Sequence, residues 1–358
     1  MASSKRILST YANWADMEFW SNSVDSICLH QTREQSAASP RALLRGFLNA
    51  LVLLRASGAY EALIVGPGSA TALLGLFRRL LRRRTPRVIV LENLYERSTT
   101  KTQRWIKSFQ FRLLLGNGVR AVVYARCERH RFSDYFSLAP EKFVFVPYHS
   151  TLHWQQDFLA RTVQPEEFVF AGGDSVRDYR TLFLAVDGLD REVIVAIRDD
   201  RILEGLHVPP NVRITTTDHR GFLDLMQRAS VNVVPLDPQS LRTAGHQTYL
   251  SAMALGSVVI VTDTDGASDY IENWKNGVLV PAGDAGALRE ALDRLFCSRE
   301  LAEQIRRAAR ETAKEFTTER VLSHYVAFAL SPEFDDPACT EFGTMRRPST
   351  CPAKTGAV

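Results

Sequence analysis

The sequence predicts an α/β protein that consists of two doubly wound domains, each built on a parallel sheet. Short apolar, β-branched segments alternate with helical segments in both halves of the 358-residue chain. This alternation is typical of parallel sheets that are covered by helices. The alternation is interrupted near residue 150, after Pro147, by a stretch without a clear period. A chain of this length is sufficient for two separate cores.

We place the domain boundaries at this interruption. The default binding site of such a protein is the cleft between its two domains. The end of the chain is rich in proline and in small or polar residues, which predicts disorder. The predicted parts are an N-terminal domain over residues 1–150, a linker over 151–165, a C-terminal domain over 166–330 and a disordered tail over 331–358.

The composition excludes several classes of protein. A net charge of +4 argues against nucleic-acid binding by bulk charge. The five cysteines are far apart and form no Cys-x-x-Cys pair, so they predict neither a zinc site nor a disulfide framework. The N-terminus lacks the apolar core of a signal peptide, and no stretch approaches the roughly 20 apolar residues that span a bilayer. We therefore expect a cytoplasmic protein with reduced thiols.

In the first domain, the turn at residues 66–69 separates a strand from a helix. Its glycines match neither a dinucleotide-binding nor a P-loop pattern, so a tight turn is favoured over an anion site. The predicted strands are residues 24–29, 60–65, 88–91, 119–124 and 143–146, and the predicted helices are residues 41–56, one that begins at residue 71 and one that ends at residue 135.

Basic residues are concentrated in two helical stretches of this domain. Six arginines lie between Arg78 and Arg87, interleaved with leucines, and residues 101–112 combine lysine and arginine with Trp105. Such a helix fits an anionic membrane surface, and a solvated helix on the outside of a sheet has the same pattern. The membrane interpretation gives peripheral contact through Arg78–Arg87 with the inner face of the membrane.

The second domain contains a compact helix–strand–loop unit at residues 243–284. A β-branched strand at residues 258–261 follows a helix at 247–255 that ends at Gly256. Before this unit, the strand at residues 168–171 leads into a loop that begins with Gly172 and Gly173. The other predicted strands are residues 192–197, 212–216, 231–235 and 277–280, and the other predicted helices are 179–186, 222–229, 284–296 and 301–330.

The segments FVFAGG, VNVVPL, GHQTYLSAMALGSVVIVTD, GASDYI and NGVLVPAGD in residues 165–325 resemble the C-terminal domain of GT-B glycosyltransferases. The chain is similar in particular to the retaining family 4, the glycosyl transferases group 1. The resemblance implies a GT-B fold with two Rossmann-like domains that face a cleft. It also implies a nucleotide-sugar donor bound by the C-terminal domain, an acceptor bound by the N-terminal domain, and no requirement for a metal or a cofactor.

The resemblance carries a diphosphate-binding role to the loop after the first strand of this domain. Gly172 and Gly173 allow the backbone to approach a diphosphate, and the backbone around Ser175 belongs to the same loop. Arg177 lies close to the position of the family's phosphate-binding lysine and supplies positive charge to the leaving diphosphate. Asp174 stands where the family has an arginine and has the wrong charge for that role.

The same resemblance assigns the start of the helix at residues 245–248 to the donor. The N–H groups and the dipole of a helix N-terminus suit a diphosphate or sugar hydroxyls, and the assigned residues are Gly245, His246, Gln247 and Thr248. For His246, a structural role and a ligand role are both open.

Two carboxylates of the family's E-x7-E motif are absent. Ser251 stands where the glutamate that binds the ribose should be, and Thr243 stands at the other position. A serine hydroxyl forms a weaker or water-bridged contact with the ribose. In the first domain, Glu92 follows a strand where many family members have a histidine. It is a candidate base for the acceptor hydroxyl or a stabiliser of positive charge, and a structural surface residue is the alternative.

These residues lead to three hypotheses about function. The first is a retaining, metal-independent glycosyltransferase that moves a sugar from a nucleotide-diphosphate donor to a glycan or lipid-linked acceptor, with Glu92 and Arg177 as catalytic residues. The second is a non-catalytic GT-B protein that acts as a partner or regulator of another transferase, as the lost carboxylates would allow. The third and weaker hypothesis is a nucleotide-sugar epimerase. The retained glycines, Arg177 and the Gly-His-Gln-Thr helix start favour the first.

Overall fold

The computed structural model describes residues 6–343 except 28–39, 82–85, 93–97 and 99. Over these residues the chain forms two compact units. The first unit contains residues up to 147 together with residues 319–343, and the second contains residues 148–318. Both units are α/β structures with a six-stranded sheet, which confirms the predicted fold class.

The first unit has an all-parallel sheet in the order β2-β1-β3-β4-β5-β6. The strand order changes direction between β1 and β3, which makes this the switch point of the sheet. The strands are β1 (Ile7–Ser9), β2 (Val24–Ser26), β3 (Ala62–Val65), β4 (Arg87–Val90), β5 (Val119–Val123) and β6 (Phe143–Phe145). β3 and β5 are buried along their whole length, as continuous apolar strands between helix layers should be.

The helices of the first unit connect these strands and cover the sheet. Their bounds are α1 (Glu18–Ser23), α2 (Pro40–Ala56), α3 (Ser69–Leu80), α4 (Lys101–Leu114) and α5 (Arg126–Phe136). Aromatic rings fix α4 and α5 on the sheet, because Phe111 stacks on Phe136 at 4.5 Å between ring centroids and on Phe143 at 6.2 Å. The strand β1 and the helix α1 are not predicted from the sequence, since three and six residues are too few to show a period.

The second unit has the strand order β12-β11-β10-β7-β8-β9, again all parallel. This is the doubly wound Rossmann order, and its switch point lies between β7 and β10. The strands are β7 (Glu166–Gly172), β8 (Glu192–Ala196), β9 (Val212–Thr215), β10 (Ala229–Val234), β11 (Val258–Asp263) and β12 (Val278–Pro281). The helices are α6 (Gln156–Ala160), α7 (Tyr179–Val186), α8 (His219–Arg228), α9 (His246–Ala254), α10 (Ala285–Cys297) and α11 (Arg299–Ala313).

The predicted linker at residues 151–165 is part of the second unit, which corrects the boundary drawn from the sequence. Leu152 and Phe158 are buried in its core, and the guanidinium groups of Arg161 and Arg220 lie 4.3 and 5.0 Å from the ring of Phe158. The segment lacks a periodic pattern because two isolated apolar residues anchor it.

The end of the chain also differs from the prediction. The helical stretch at residues 301–330 is two helices, because Thr317 is extended between α11 and α12 (Thr318–Leu330). Residues 331–343 are ordered in the first unit and do not belong to a disordered tail. Phe334 is buried there, and Arg120 donates hydrogen bonds to the carbonyls of Phe334 and Asp336. Residues 344–358 of the predicted tail lie outside the described residues.

Within the described part of the chain, none of the helices is long and apolar enough to cross a membrane. The described cysteines Cys127, Cys297 and Cys339 are free thiols. No group of three or more histidine, cysteine, aspartate or glutamate side chains is arranged to hold a metal ion among the residues described.

Candidate functional site

The candidate site lies at the carboxyl edge of the second unit's sheet, at its switch point. β7 ends at Gly172, and Gly173 follows with φ of +106°, a conformation that favours glycine. A Cβ on Gly172 would overlap the ring of Phe222, and one on Gly173 would lie 2.9 Å from Nη2 of Arg177. Both positions therefore need a residue without a side chain.

The loop after Gly173 is held in place by the neighbouring strand end. Arg177 forms an antiparallel bridge with Leu236, and the N–H of Asp178 donates to the carbonyl of Pro235 at 3.1 Å. Val176 has φ of +54°, which is strained for a β-branched residue. A strained residue in a loop that is fixed on both sides is typical of a preorganised binding site.

Arg177 links this loop to helix α9. Its Nε donates to the carbonyl of Gly172 at 3.0 Å, its Nη1 to the carbonyl of Ser175 at 2.8 Å, and its Nη2 to Oγ1 of Thr248 at 3.0 Å. The side chain is half-buried, and desolvation lowers the pKa of its guanidinium. The predicted residues Gly172, Ser175, Arg177 and Thr248 are thus directly connected.

Helix α9 begins without a side-chain cap. Its N-cap, Gly245, has φ of +81°. The other described helices of the second unit with at least eight residues are each capped by an aspartate or serine side chain, at Asp178, Asp218, Asp284 and Ser298. Because a capping carboxylate or hydroxyl occupies the place where an anion would bind, its absence leaves the positive end of α9 open to a ligand.

A cavity of about 390 Å³ lies beside this helix end and the glycine loop. Four of the predicted residues line it, namely Gly173, Gln247, Thr248 and Ser251. Phe222 and Leu223 form part of an apolar wall, and Thr217, Asp218 and His219 add polar groups. The cavity is therefore bordered by the apolar ring of Phe222, by the hydroxyl groups of Thr248 and Ser251, and by the uncapped start of α9.

Asp174 also lines the cavity, and Arg198 pairs with it. The N–H of Arg198 donates to Oδ1 of Asp174 at 2.8 Å, and its Nε donates to Oδ2 at 2.9 Å. Although desolvation raises the pKa of Asp174, these hydrogen bonds outweigh it and lower that pKa. The prediction from the sequence missed Arg198. Its place directly after the apolar run of β8, at the edge where ligands bind, was the signal that could have found it.

His246 does not line the cavity. It is buried, its Nε2 lies 3.3 Å from Oγ1 of Thr243, and its ring contacts those of Tyr148, Tyr249 and Tyr270. These contacts favour the structural role of His246. Thr243 is likewise turned to this cluster, so of the two positions without a carboxylate only Ser251 borders the cavity.

Glu92 lies in the first unit, two residues after the end of β4. It has φ of +54°, and its N–H donates to the hydroxyl of Tyr124 at 2.8 Å. Although the residue is exposed overall, desolvation around its carboxyl group raises its pKa, and Tyr11 opposes the shift. A carboxylate with a raised pKa on strained backbone is suited to proton transfer.

The arginines that were predicted to contact a membrane do not form one exposed row. Arg78 is buried and donates hydrogen bonds to the carbonyls of Pro86 and Asn117. Arg87 forms an ion pair with Asp335 at 2.6 Å. These two side chains are therefore engaged within the protein. The membrane contact through Arg78–Arg87 stays a prediction, and Arg82, Arg83 and Arg84 lie outside the described residues.

Comparisons with known proteins agree with this architecture. Residues 204–312 match the family model of glycosyl transferases group 1. Comparison with curated protein sequences gave no significant match.

Several solved structures have a similar fold. A glycosyltransferase from Rickettsia africae is 14% identical, with 91% of this chain and 90% of that chain covered and a TM-score of 0.59. Sucrose-phosphate synthase from Thermosynechococcus elongatus is 18% identical, with 86% and 84% covered and a TM-score of 0.58. HepE from Anabaena in complex with UDP is 13% identical, with 78% and 81% covered and a TM-score of 0.59.

At these identities the likeness concerns the fold. The chain therefore has the GT-B fold of glycosyltransferases, and its second unit contains the region that matches glycosyl transferases group 1.

Proposed function

We propose that the protein is a retaining glycosyltransferase that moves a sugar from a nucleotide-diphosphate donor to a glycan or lipid-linked acceptor. The observation that carries this proposal is the uncapped start of α9 beside the glycine loop, joined by the hydrogen bond between Arg177 and Thr248. Together they form a preorganised, positively polarised site for a diphosphate.

In this proposal the second unit stabilises the leaving nucleotide diphosphate. Negative charge grows on the diphosphate as the glycosidic bond breaks, so fixed positive charge lowers the barrier. Arg177 and the dipole of α9 supply that charge, and the backbone of residues 172–175 approaches the phosphates closely. We propose that no metal is required, since Arg177 and the dipole of α9 can supply the positive charge that a metal ion would otherwise provide.

The cavity beside α9 would hold the nucleoside of the donor. HepE has been solved with UDP and with UDP-glucose, so UDP-sugars are the first donors to test. Ser251 would donate to or accept from a ribose hydroxyl, with a weaker contact than a carboxylate provides. Phe222 offers an apolar face beside the same space.

For Glu92 we propose the role of base towards the acceptor hydroxyl. Its raised pKa brings proton affinity closer to that of an effective general base. We further propose that the protein works in the cytoplasm and makes peripheral contact with a membrane where the acceptor is lipid-linked.

A non-catalytic GT-B protein remains the alternative, as a partner or regulator of another transferase. Two observations favour it: Thr243 and Ser251 replace both carboxylates of the family motif, and all three nitrogens of the Arg177 guanidinium already donate within the protein. A donor would then bind weakly or not at all.

A thermal-shift screen with UDP, GDP, ADP, CDP and dTDP tests the donor site. A nucleotide at a hundredfold excess over its Kd adds about 2.7 kcal/mol, which raises the Tm of a unit of this size by several degrees. We expect one nucleotide to give such a shift and Arg177→Lys and Thr248→Val each to reduce it. Arg201→Lys, at an exposed arginine that pairs with Asp199, is the matched control and should respond as the wild type.

Hydrolysis of the matching nucleotide sugar then separates the two functions. An enzyme releases sugar slowly without acceptor, and Arg177→Lys lowers that rate. Clear nucleotide binding without any turnover supports the non-catalytic alternative, and a flat response to all five nucleotides contradicts a donor site altogether.

A further inference from the structure

Three adjacent helices of the first unit carry an unusual exposed surface, which we call the α2–α3–α4 face. α2 contacts α3, and α3 contacts α4. Ten of the twelve large apolar side chains that are exposed in the described part of the chain lie on these helices or at Leu81, directly after α3. The most exposed are Leu80, at 70%, and Trp105, at 68%.

The three helices are close enough to form one continuous surface. Gly75 of α3 lies against the backbone of Leu113 in α4, and Gly46 of α2 lies against Ser69 at the start of α3. Phe47 and Phe77 join α2 to α3 with ring centroids 5.8 Å apart. Trp105 stacks on Phe109 on the outside of α4 at 5.8 Å. Exposed apolar area on this scale marks an interaction surface.

The charge of this face has one sign. The sequences of α2, α3 and α4 contain nine arginine or lysine residues and no aspartate or glutamate. The other α-helices of the first unit each contain an acidic residue, namely Glu18 in α1, Glu128 in α5 and Glu319 in α12. The chain as a whole carries a net charge of only +4, so the positive charge is concentrated here.

A basic pocket of about 730 Å³ opens at the C-terminal ends of α3 and α4. Its charged lining, among the residues described, consists of Arg78, Arg79, Arg112 and Lys142. Lys142 donates to the carbonyl of Gly116 at 2.9 Å, and Arg79 donates to the carbonyl of Arg112 at 2.6 Å. Four cations therefore line one pocket. The acceptors described for their hydrogen bonds are backbone carbonyls, and Glu141 supplies a negative charge near Lys142, so an anion would balance the remaining positive charge.

The pocket is continuous with the apolar surface. Arg112 also lines a second cavity, of about 280 Å³, whose walls include Trp105 and Phe109. At the other side of the pocket, Arg79 is followed directly by the exposed Leu80 and Leu81. Cationic groups in a pocket next to exposed aromatic and leucine side chains suit a bilayer surface, where anionic headgroups border the acyl chains.

We propose that the α2–α3–α4 face docks on an anionic phospholipid bilayer and that the pocket of Arg79, Arg112 and Lys142 holds a phosphate-bearing headgroup. Trp105, Phe109, Leu80 and Leu81 seat at the boundary between headgroups and acyl chains. A protein partner is disfavoured, since the face combines single-sign charge with a pocket sized for a headgroup. This inference deepens the membrane contact in the proposed function. Of the stretch Arg78–Arg87 it uses Arg79, Leu80 and Leu81, and it adds Lys142 and residues of α4.

Vesicle flotation tests the inference with the full chain. The vesicles contain either phosphatidylcholine alone or equal parts of phosphatidylcholine and phosphatidylglycerol. We expect binding to the anionic vesicles at least tenfold stronger than to the neutral ones, and weaker binding as salt is added. No binding, or equal binding to both vesicles, would overturn the proposal.

Two sets of variants separate the parts of the face. Trp105→Ser with Phe109→Ser should weaken binding to both kinds of vesicle, and Arg79→Gln with Lys142→Gln should remove the preference for anionic lipid. Leu184→Ser, at a leucine of the second unit that is 68% exposed, and Arg307→Gln, at an exposed arginine there, are the matched controls. Loss of binding in the controls as well, or unchanged binding in both sets, contradicts the assignment.

Two further arms decide about other occupants. Arg79 and Lys142 also donate hydrogen bonds to backbone carbonyls, so the Tm of the variant that changes both residues is measured as a check on folding. If that variant does not fold, the variant at the exposed Trp105 and Phe109 decides the test. If soluble glycerol phosphate raises the Tm of the protein and the protein does not float with vesicles, the pocket binds a soluble phosphate compound. That result overturns the membrane docking. If the protein does not float with vesicles but dimerises as its concentration rises, and Trp105→Ser abolishes the dimer, the face binds a second copy of the chain. That result also overturns the membrane docking. None of these measurements needs sugar transfer, so the result is independent of donor binding.

Discussion

The negative charge of Asp174 is balanced by Arg198, a residue that lies close to it in the structure but not in the sequence. In the sequence it stands where a cation is expected beside the diphosphate. In the structure Arg198, which is 24 positions later, donates two hydrogen bonds to its carboxylate, so the local charge is balanced. The cationic group beside Asp174 is therefore supplied from the end of β8, in addition to Arg177 of the glycine loop.

The first prediction concerns this carboxylate. Asp174→Asn removes negative charge next to the proposed diphosphate and keeps an oxygen for the N–H of Arg198. We expect nucleotide binding to tighten by about 1 kcal/mol, or roughly five-fold in Kd. Isothermal titration calorimetry measures this, with Asp199→Asn, at an aspartate that pairs with Arg201, as the control. Weaker binding in Asp174→Asn would show that the carboxylate itself contacts the ligand.

The second prediction uses the pKa of Glu92. A base acts in its ionised form, so activity is present above its pKa and is lost as pH falls through that pKa. Because desolvation raises the pKa of Glu92 above the usual 4.5, the acid limb of kcat/KM should lie at higher pH than for an ordinary glutamate. Tyr11 opposes this shift, so Tyr11→Phe should move the limb to still higher pH.

The control for this profile is Glu92→Gln. If Glu92 is the base, this variant has low activity and no acid limb in the region where the wild type loses activity. An unchanged profile would assign the limb to another group and leave Glu92 with a structural role on its strained backbone.

At the scale of elements, the sequence predicts strands better than their ends. Continuous apolar strands such as β5 and β11 are confirmed nearly as predicted, because burial on both faces leaves a clear pattern. β1 has three residues, too few for any period to be visible. The break at Thr317 is invisible for another reason: both flanking segments are good helices, and only the return of the chain to the first unit requires an extended residue.

The candidate site, like the fold, contains parts that the sequence predicts and parts that it does not. The glycine loop and the start of α9 are readable because glycine geometry and helix ends have local signatures. Arg198 and Phe222 come from other parts of the chain. The position of Arg198 just after β8 is a weak signal, and no local pattern marks Phe222 as a cavity residue. Their positions depend on the strand order, which a single sequence does not reveal.

The third prediction tests the contact between α3 and α4. A Cβ on Gly75 would overlap the carbonyl oxygen of Leu113, which is backbone and cannot turn away. Gly75→Ala should therefore lower the free energy of unfolding by about 1–3 kcal/mol, despite the higher helix propensity of alanine. Chemical denaturation measures the change. Gly58→Ala, which would meet no atom within 4 Å, should change it by less than about 1 kcal/mol.

At the scale of the whole molecule, the chain leaves the first unit after residue 147 and returns to it at residue 319. The returning segment completes that unit from the far end of the sequence. Arg126 pairs with Glu341 at 2.8 Å, and Arg120 holds the carbonyls of Phe334, Asp336 and Cys339. The domain boundary that the sequence predicts at residue 330 therefore falls inside residues 319–343, which all belong to the first unit.

This return leads to the last prediction. Phe334 is buried against Phe328, with ring centroids 5.3 Å apart, although it lies in a stretch whose prolines suggest disorder. Phe334→Ala should lower the stability of the first unit by about 3–5 kcal/mol, the usual loss for a buried phenylalanine. Hydrogen exchange should show faster exchange in β5 and β6 and unchanged protection in β7 and β10. As a control, Leu184→Ala, at an exposed leucine of the second unit, should leave the hydrogen exchange of both units unchanged. Equal loss of protection in both units would mean that they unfold together, and no loss at all would place the end of the chain outside the cooperative core.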